Sequence, residues 1–360
     1  MASTLEEELG SVEFVQVESV QALASNFGAS STNEVPDRYI RSEVEADMVV
    51  EKGSFELQVI DLAKLRDPQF SQTEIAKLGC ACGEWGFFQL INHGVDKEVL
   101  ERVKADITAF FNLPVEQKEA VAIANKGVDG FGHHFIVSNE QKLDWADMLY
   151  LTTRPVNERN LRFWPTNPPT FRDTFNKYSL ELNKVAGELL EAMSKDLEIE
   201  SDVLFNLFKG QPQSMRMNYY PPCPQPEKVL GLSAHTDGSG ITLLLHVNDV
   251  QGLQIRKDKM WFSVETLPGA LVVNIGDVLE IASNGRYRSI EHRAVVNTTK
   301  ERISIANFQS PCHLANMGPL PEVVKGGKEN YKSLPYIEYF KGYFSDKLEG
   351  RNYMESLKIN

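Results

Sequence analysis

Ser214-Met-Arg-Met-Asn-Tyr-Tyr220, closed by Pro221-Pro222, is where the chain changes texture. A short run of apolar and aromatic side chains, stopped by a proline pair that cannot continue a hydrogen-bonded ladder, reads as a strand ending in a rigid turn. The unit then recurs. Runs at 240–246, 253–255, 261–264, 270–275, 287–296 and 302–308 follow, divided by turn signals such as Asp237-Gly238, Pro268-Gly269 and Asn284-Gly285. Many short strands at near-regular spacing predict a closed all-β sandwich or barrel.

Before residue 214 the pattern is helical. Ile75, Leu78 and Ala81/Cys82 recur at helical spacing behind Ser71, a suitable N-cap, and two further helices are predicted over 97–112 and 171–197. Strands are expected at 57–62 and 85–91, the second closed by Asn92-His93-Gly94. Between them and the long helix lies a loop-rich stretch with Gly127, Gly130, Gly132 and the segment 155–169. One more helix is predicted over 335–346. The expected fold class is therefore mainly β with α, a β core wrapped by an N-terminal helical region. The expected division is an acidic N-terminal arm at 1–50, whose first 35 or so residues read as a mobile arm with a short helical attempt near 17–27, a helical region at 51–210, the β core at 211–312 and a C-terminal helical segment at 313–360.

Charge and cysteine usage narrow the class. The 360 residues carry Lys+Arg 37 against Asp+Glu 50, a net −13, which argues against nucleic acid or an anionic membrane as partner. No Lys or Arg precedes Arg38, so neither a secretory leader nor an organellar transit peptide is indicated, and no run reaches the roughly 18 apolar residues of a membrane span. Cys80, Cys82, Cys223 and Cys312 read as free thiols of a reducing compartment. A cytoplasmic monomer is the expectation.

His235-Thr236-Asp237 carries the first chemical signal. Two residues apart on an extended chain, an imidazole and a carboxylate project to the same side. His292, within the strand-like run 287–296, is the obvious third ligand. Two histidines and a carboxylate on one face of an octahedron leave three positions open, the arrangement of non-haem Fe(II) oxygenases. The tripeptide alone is weak evidence. Arg302 and Ser304 add to it, following His292 across an Asn297-Thr-Thr-Lys300 turn; if the flanks form a hairpin, they share its inward face. A guanidinium fork and a hydroxyl inside a barrel make a carboxylate receptor, although Arg302 paired with a structural Glu or Asp is the blander alternative.

Together the motifs form a recognisable series. Trp85-Gly-Phe-Phe-Gln-Leu-Ile-Asn-His-Gly94, Asn218-Tyr-Tyr-Pro-Pro-Cys-Pro224, His235-Thr-Asp237, Asn274-Ile-Gly-Asp277, Ser283-Asn-Gly285, Tyr287-Arg-Ser-Ile-Glu-His-Arg293 and Arg302-Ile-Ser304 occur in this order. The chain resembles plant Fe(II)/2-oxoglutarate-dependent dioxygenases from about residue 55 to about residue 350. Within them it is similar to the senescence-related-gene branch, near the poppy alkaloid O-demethylases and more distantly flavonol and anthocyanidin synthases. The resemblance implies a double-stranded β-helix (jelly roll), with His235, Asp237 and His292 as iron ligands. It places Arg302 and Ser304 on the distal carboxylate of 2-oxoglutarate, supported by Asn218 and Tyr220. It also implies O2 as oxidant, ascorbate as reductant, and succinate and CO2 as co-products.

The implied reaction is hydroxylation of a plant specialised metabolite, or O- or N-demethylation through it. For a small aromatic substrate the loop Gly130-Phe-Gly-His-His-Phe135 supplies candidates Phe131, His133, His134 and Phe135, with Phe308 from the barrel. The family more often carries Gln where this chain has His133. For each of these, core packing or a surface position is an equal alternative. A ring-forming or desaturating oxidase of the same superfamily, and a barrel binding protein with relic ligands, remain alternatives. A zinc hydrolase is poorer, because Arg302 has no role in it.

Overall fold

A computed structural model of the chain describes residues 15–27, 34–50, 55–123, 127–133, 136, 138–210, 212–312, 314–345 and 352–359. The strands that build the core, numbered along the chain, are β1 (Val49–Val50), β2 (Val59–Asp61), β3 (Phe87–Ile91), β4 (Gly130–Gly132), β5 (Asp147–Arg154), β6 (Gln213–Tyr220), β7 (Leu232–His235), β8 (Ile241–His246), β9 (Leu253–Lys257), β10 (Met260–Ser263), β11 (Leu271–Ile275), β12 (His292–Ala294) and β13 (Arg302–Gln309). Eight form one sheet in the order β2-β3-β11-β8-β13-β6-β5-β4, and five form a second in the order β1-β10-β9-β12-β7. With the surrounding helices these mixed sheets make the expected jelly roll.

The central strands have two buried faces of different chemistry. On β6, Met215, Met217 and Tyr219 join a core that includes Tyr178, Leu182, Val185 and Leu189 of the helix Phe171–Asp196. β13 contributes Ile303 and Ile305 to the same core, and β8 contributes Ile241, Leu243 and Leu245. Alternation then turns Arg216, Asn218 and Tyr220 of β6, Arg302, Ser304, Ala306 and Phe308 of β13, and Thr242, Leu244 and His246 of β8 to the opposite face. The paired registers Arg302–Tyr220, Ser304–Asn218 and Ser304–His246 keep these residues in one layer. The helices thus cover the apolar face, and the polar face looks into the space between the sheets.

Three expectations need correction. Residues 287–296 are not one strand: only His292–Ala294 is, and it pairs with β7 and β9. No hairpin joins it to β13, which sits between β8 and β6 in the other sheet. His292 and Arg302 therefore line one cavity from different sheets. The region 51–210 also does more than wrap: beside the expected strands β2 and β3 it supplies β4 and the eight-residue β5, which were not expected, to the larger sheet. In the acidic arm, residues 15–27 are docked. The helix Val20–Ser25 starts on the fully buried Asp147, whose carboxylate accepts from Ser19 Oγ at 2.7 Å and from the Val20 and Gln21 amides at 2.8 Å each.

Candidate active site

The strand pairing of β7 with β12 sets His235 directly opposite His292, with ring centroids 4.3 Å apart. Asp237 follows two residues after His235. Its Oδ1 lies 3.6 Å from His235 Nε2 and 3.7 Å from His292 Nε2. Its Oδ2 is occupied, accepting from Thr242 Oγ1 at 2.6 Å and Asn274 Nδ2 at 2.7 Å. Each imidazole is fixed from behind: His235 Nδ1 is 2.8 Å from the Ser233 carbonyl and His292 Nδ1 is 3.1 Å from that of Ile290. A carbonyl can only accept, so Nδ1 carries the proton and the Nε2 lone pairs face the common point.

The three ligand atoms lie within 4.8 Å of one another. Burial, reinforced by His235 and opposed by Asp237, lowers the His292 pKa to about 4, which leaves it neutral and able to donate its lone pair. Burial would raise the Asp237 carboxyl, but the neighbouring His292 and His235 and the Asn274 amide outweigh it and hold the group well below the usual carboxylate range. Two imidazoles presenting Nε2 and one carboxylate, open on one side, suit a divalent iron.

The second half of the site lies at the far end of the same polar layer. Arg302 is 2% exposed, with its guanidinium carbon 5.0 Å from the Tyr220 ring centroid, and its Nε has no hydrogen-bond partner among the described residues. Ser304 Oγ is 3.5 Å from Asn218 Nδ2. His246, opposite Ser304 on β8, has neither ring nitrogen partnered, and burial followed by the charge of Arg302 pushes it well below the ordinary histidine range. No carboxylate stands within ion-pair distance of Arg302 among the described residues. A buried guanidinium without an anion is costly, so the site fits an anion from solution. One cavity reaches from Arg302, Ser304, Asn218 and Tyr220 to His235, Asp237 and His292. Those residues suit a small dicarboxylate that also touches the metal.

The chain is also similar to known proteins. Residues 211–311 match the model of the 2OG-Fe(II) oxygenase superfamily, and residues 57–167 match that of the non-haem dioxygenase in morphine synthesis N-terminal region. The chain is 47% identical over 352 residues to 2-oxoglutarate-dependent dioxygenase 11 of Oryza sativa subsp. japonica, covering 97% of this chain and 98% of that one. It belongs to the 2OG-Fe(II) oxygenase superfamily. The oxygenase is also 41% identical to codeine O-demethylase of Papaver somniferum, over 91% of this chain and 90% of the relative. A solved structure of JOX2 in complex with 2OG, Fe and JA superposes with a TM-score of 0.86 at 34% identity, covering 97% of this chain and all of that one. The protein is thus a 2-oxoglutarate-dependent dioxygenase of plant type with iron and 2-oxoglutarate as its cofactors. No helix among its described residues is long and apolar enough to cross a membrane.

The C-terminal helix Tyr336–Ser345 holds the oxygenase's His235–Asp237 loop in place. Tyr336 donates to the Gly238 carbonyl at 3.2 Å, Tyr343 to the Thr236 carbonyl at 2.6 Å, and Tyr339 to Asp277 Oδ2 at 2.5 Å. Thr236 Oγ1 donates to that same Asp277 oxygen at 3.0 Å. Spacings of three and four place the tyrosines on one helix face. Tyr343→Phe is expected to weaken iron affinity by about tenfold through a looser loop, while destabilising the fold by only about 1 kcal/mol. Anaerobic iron titration beside thermal unfolding checks the pair of effects.

The substrate candidates separate. Phe308 lines the cavity beside the candidate ligands, 6.5 Å from the Tyr150 ring. Phe131 is 4% exposed and packs on Phe110 in the main core, outside the cavities that touch His235 and Asp237. His133 has its Nε2 3.3 Å from Asp147 and borders the outer vestibule. His134 and Phe135 lie outside the described residues. The cavity is walled instead by Met148, Tyr150, Arg216, Tyr336, Phe340 and Tyr343, which sequence reasoning did not single out. Arg216 was legible: it shares the parity of Asn218 and Tyr220 on a predicted strand.

Proposed function

We propose that His235, Asp237 and His292 hold the iron, and that Arg302 and Ser304, with Tyr220 and Asn218 beside them, take the distal carboxylate of 2-oxoglutarate. The observation that carries this reading is the single cavity joining the three convergent ligand atoms to a buried, anion-free guanidinium. Bound iron with 2-oxoglutarate and O2 supplies an oxidant strong enough to attack a C–H bond, at the expense of 2-oxoglutarate. The protein's own contribution is orientation. Thr242 and Asn274 fix which carboxylate oxygen of Asp237 faces the ligand position, the Ser233 and Ile290 carbonyls fix the imidazoles, and apolar walls keep water scarce.

The substrate we infer is a small plant specialised metabolite with aromatic character, which is hydroxylated. Where the attacked carbon is an O- or N-methyl, hydroxylation ends in demethylation. The aromatic lining of the neighbouring cavity supports the substrate class, and the likeness to codeine O-demethylase and, at 41% identity, to the flavonoid 7-O-demethylase of Ocimum basilicum supports the outcome. Ascorbate would serve as reductant.

Anaerobic addition of Fe(II) and 2-oxoglutarate is expected to produce a weak visible charge-transfer band. An iron-loaded protein without that band would refute the placement of 2-oxoglutarate. A metabolite panel read by succinate release then identifies the substrate, and the product's gain of one oxygen, loss of one methylene or loss of two hydrogens names the reaction. Turnover without succinate would instead indicate a ring-forming oxidase, and no succinate with any metabolite would favour a binding protein.

A further inference from the structure

Arg216 is the one residue that lines both cavities at the candidate iron site and also the outer vestibule beside them. It stands on the inward face of β6, opposite Ala306 of β13 and Tyr150 of β5. Its Nε donates to Asn218 Oδ1 at 2.7 Å, which fixes the plane of the guanidinium. Its two terminal nitrogens make no hydrogen bond or ion pair with the described residues.

The other arginines around these cavities are engaged. Arg41 binds Asp144 at 3.1 Å, Arg256 binds Glu291 at 2.9 Å, and Arg293 binds Asp47 and Gln254. Arg302 faces the other end of the layer. The register places it opposite Tyr220, four residues from Arg216, which is about 13 Å along a strand. A 2-oxoglutarate chelated at the metal and held at Arg302 has no carboxylate left for Arg216. A fork held in one plane, with two free donors aimed into a cavity, matches a second carboxylate. Around it the lining is apolar and aromatic: Met148, Tyr150, Phe308, Tyr336 and Phe340.

We propose that Arg216 receives the carboxylate of the substrate itself, and that the oxygenase acts on a lipophilic acid whose aromatic or alicyclic body fills this cavity. This rests on the oxygenase reading of the site and adds the substrate's charge to it. The acid lies with its anionic end on β6 and its body against the C-terminal helix, so that the attacked carbon is remote from the carboxylate. Arg216 is linked through Asn218 to Ser304, which gives the two anion sites a shared hydrogen-bonded support.

The test uses the full chain loaded anaerobically with Fe(II) and 2-oxoglutarate, the charge-transfer band serving as proof of loading. Cinnamate and naphthalene-1-acetate are titrated by calorimetry against their methyl esters. The acids are expected to bind at least about tenfold more tightly than the esters, the scale of one charge-assisted hydrogen-bonded pair. Arg216→Met is expected to bring the acid-to-ester ratio close to one, and Arg216→Lys to restore part of it. Arg216→Gln, which can still reach Asn218, guards against a folding defect and should behave like Arg216→Met. Equal binding of acids and esters by the wild type, no binding of either acid at millimolar concentration, or a ratio unchanged in the Met and Gln variants would overturn the proposal. Absence of the band in the wild type would instead refute the placement of 2-oxoglutarate.

Discussion

Asp237→Asn is expected to weaken Fe(II) binding by more than about 100-fold, beyond the 10- to 100-fold typical of losing a group behind a ligand. The two carboxylate oxygens have separate duties. Oδ2 accepts from Thr242 Oγ1 and from the Asn274 amide, and Oδ1 faces the Nε2 atoms of His235 and His292. An amide of the same shape has one oxygen. If that oxygen keeps the two hydrogen bonds, an NH2 group turns to the iron and cannot ligate. If it turns to the iron, the NH2 group meets two donors in a buried site and the ligand has lost its charge. Asn274→Ala supplies the scale, since it removes one support from behind and leaves the ligand in place. Anaerobic iron titration of both proteins, with succinate release as second readout, checks the order of effects. An Asp237→Asn protein that held iron within about tenfold of wild type would place the metal elsewhere.

The site was legible where chemistry and periodicity coincide in a short stretch. His235 and Asp237 are two residues apart, and Arg302 and Ser304 repeat that spacing, so each pair declares a shared face without knowledge of the fold. The partnership between the pairs was not legible. The linking turn after His292 suggested a local hairpin, whereas β12 and β13 join different sheets, a choice made by pairing partners far away in sequence. β5 escaped for a related reason. Asp147-Met-Leu-Tyr-Leu-Thr-Thr-Arg154 has a strand's composition but lies between glycine- and proline-rich segments, and its ladder partner β6 begins 59 residues later. The tyrosines of the C-terminal helix gave a helical pattern but no hint of what they hold, because a carbonyl at Thr236 or Gly238 leaves no mark in the sequence.

Polar residues on a strand normally mean a solvent face. Here Arg216, Asn218, Ser304 and Arg302 alternate with methionines and isoleucines, and the reading inverts: helices cover the apolar face, and the polar one encloses the chemistry. An open antiparallel sheet could carry the same pattern. What separates the two is the amphipathic helix Phe171–Asp196, which needs an apolar sheet face against which to bury Tyr178, Leu182 and Leu189.

Arg302→Lys is expected to raise the KM for 2-oxoglutarate by about 10- to 100-fold, the cost of losing one bidentate charge-assisted contact. Lysine keeps the positive charge, so the experiment isolates the fork. An ammonium on a flexible stem cannot bind two carboxylate oxygens in one plane, nor lie as a flat cation over the Tyr220 ring as the guanidinium does at 5.0 Å. The surroundings offer no compensation. His246 is neutral, and Ser304 and Asn218 bring no charge. The metabolite KM should move far less than that of 2-oxoglutarate, because Arg302 lies at the opposite end of the polar layer from Phe308 and Arg216. Steady-state succinate release, varied in each substrate separately, distinguishes the two. An unchanged 2-oxoglutarate KM would show that the co-substrate is anchored elsewhere, and Arg302 would then be a buried cation with no anion to explain it.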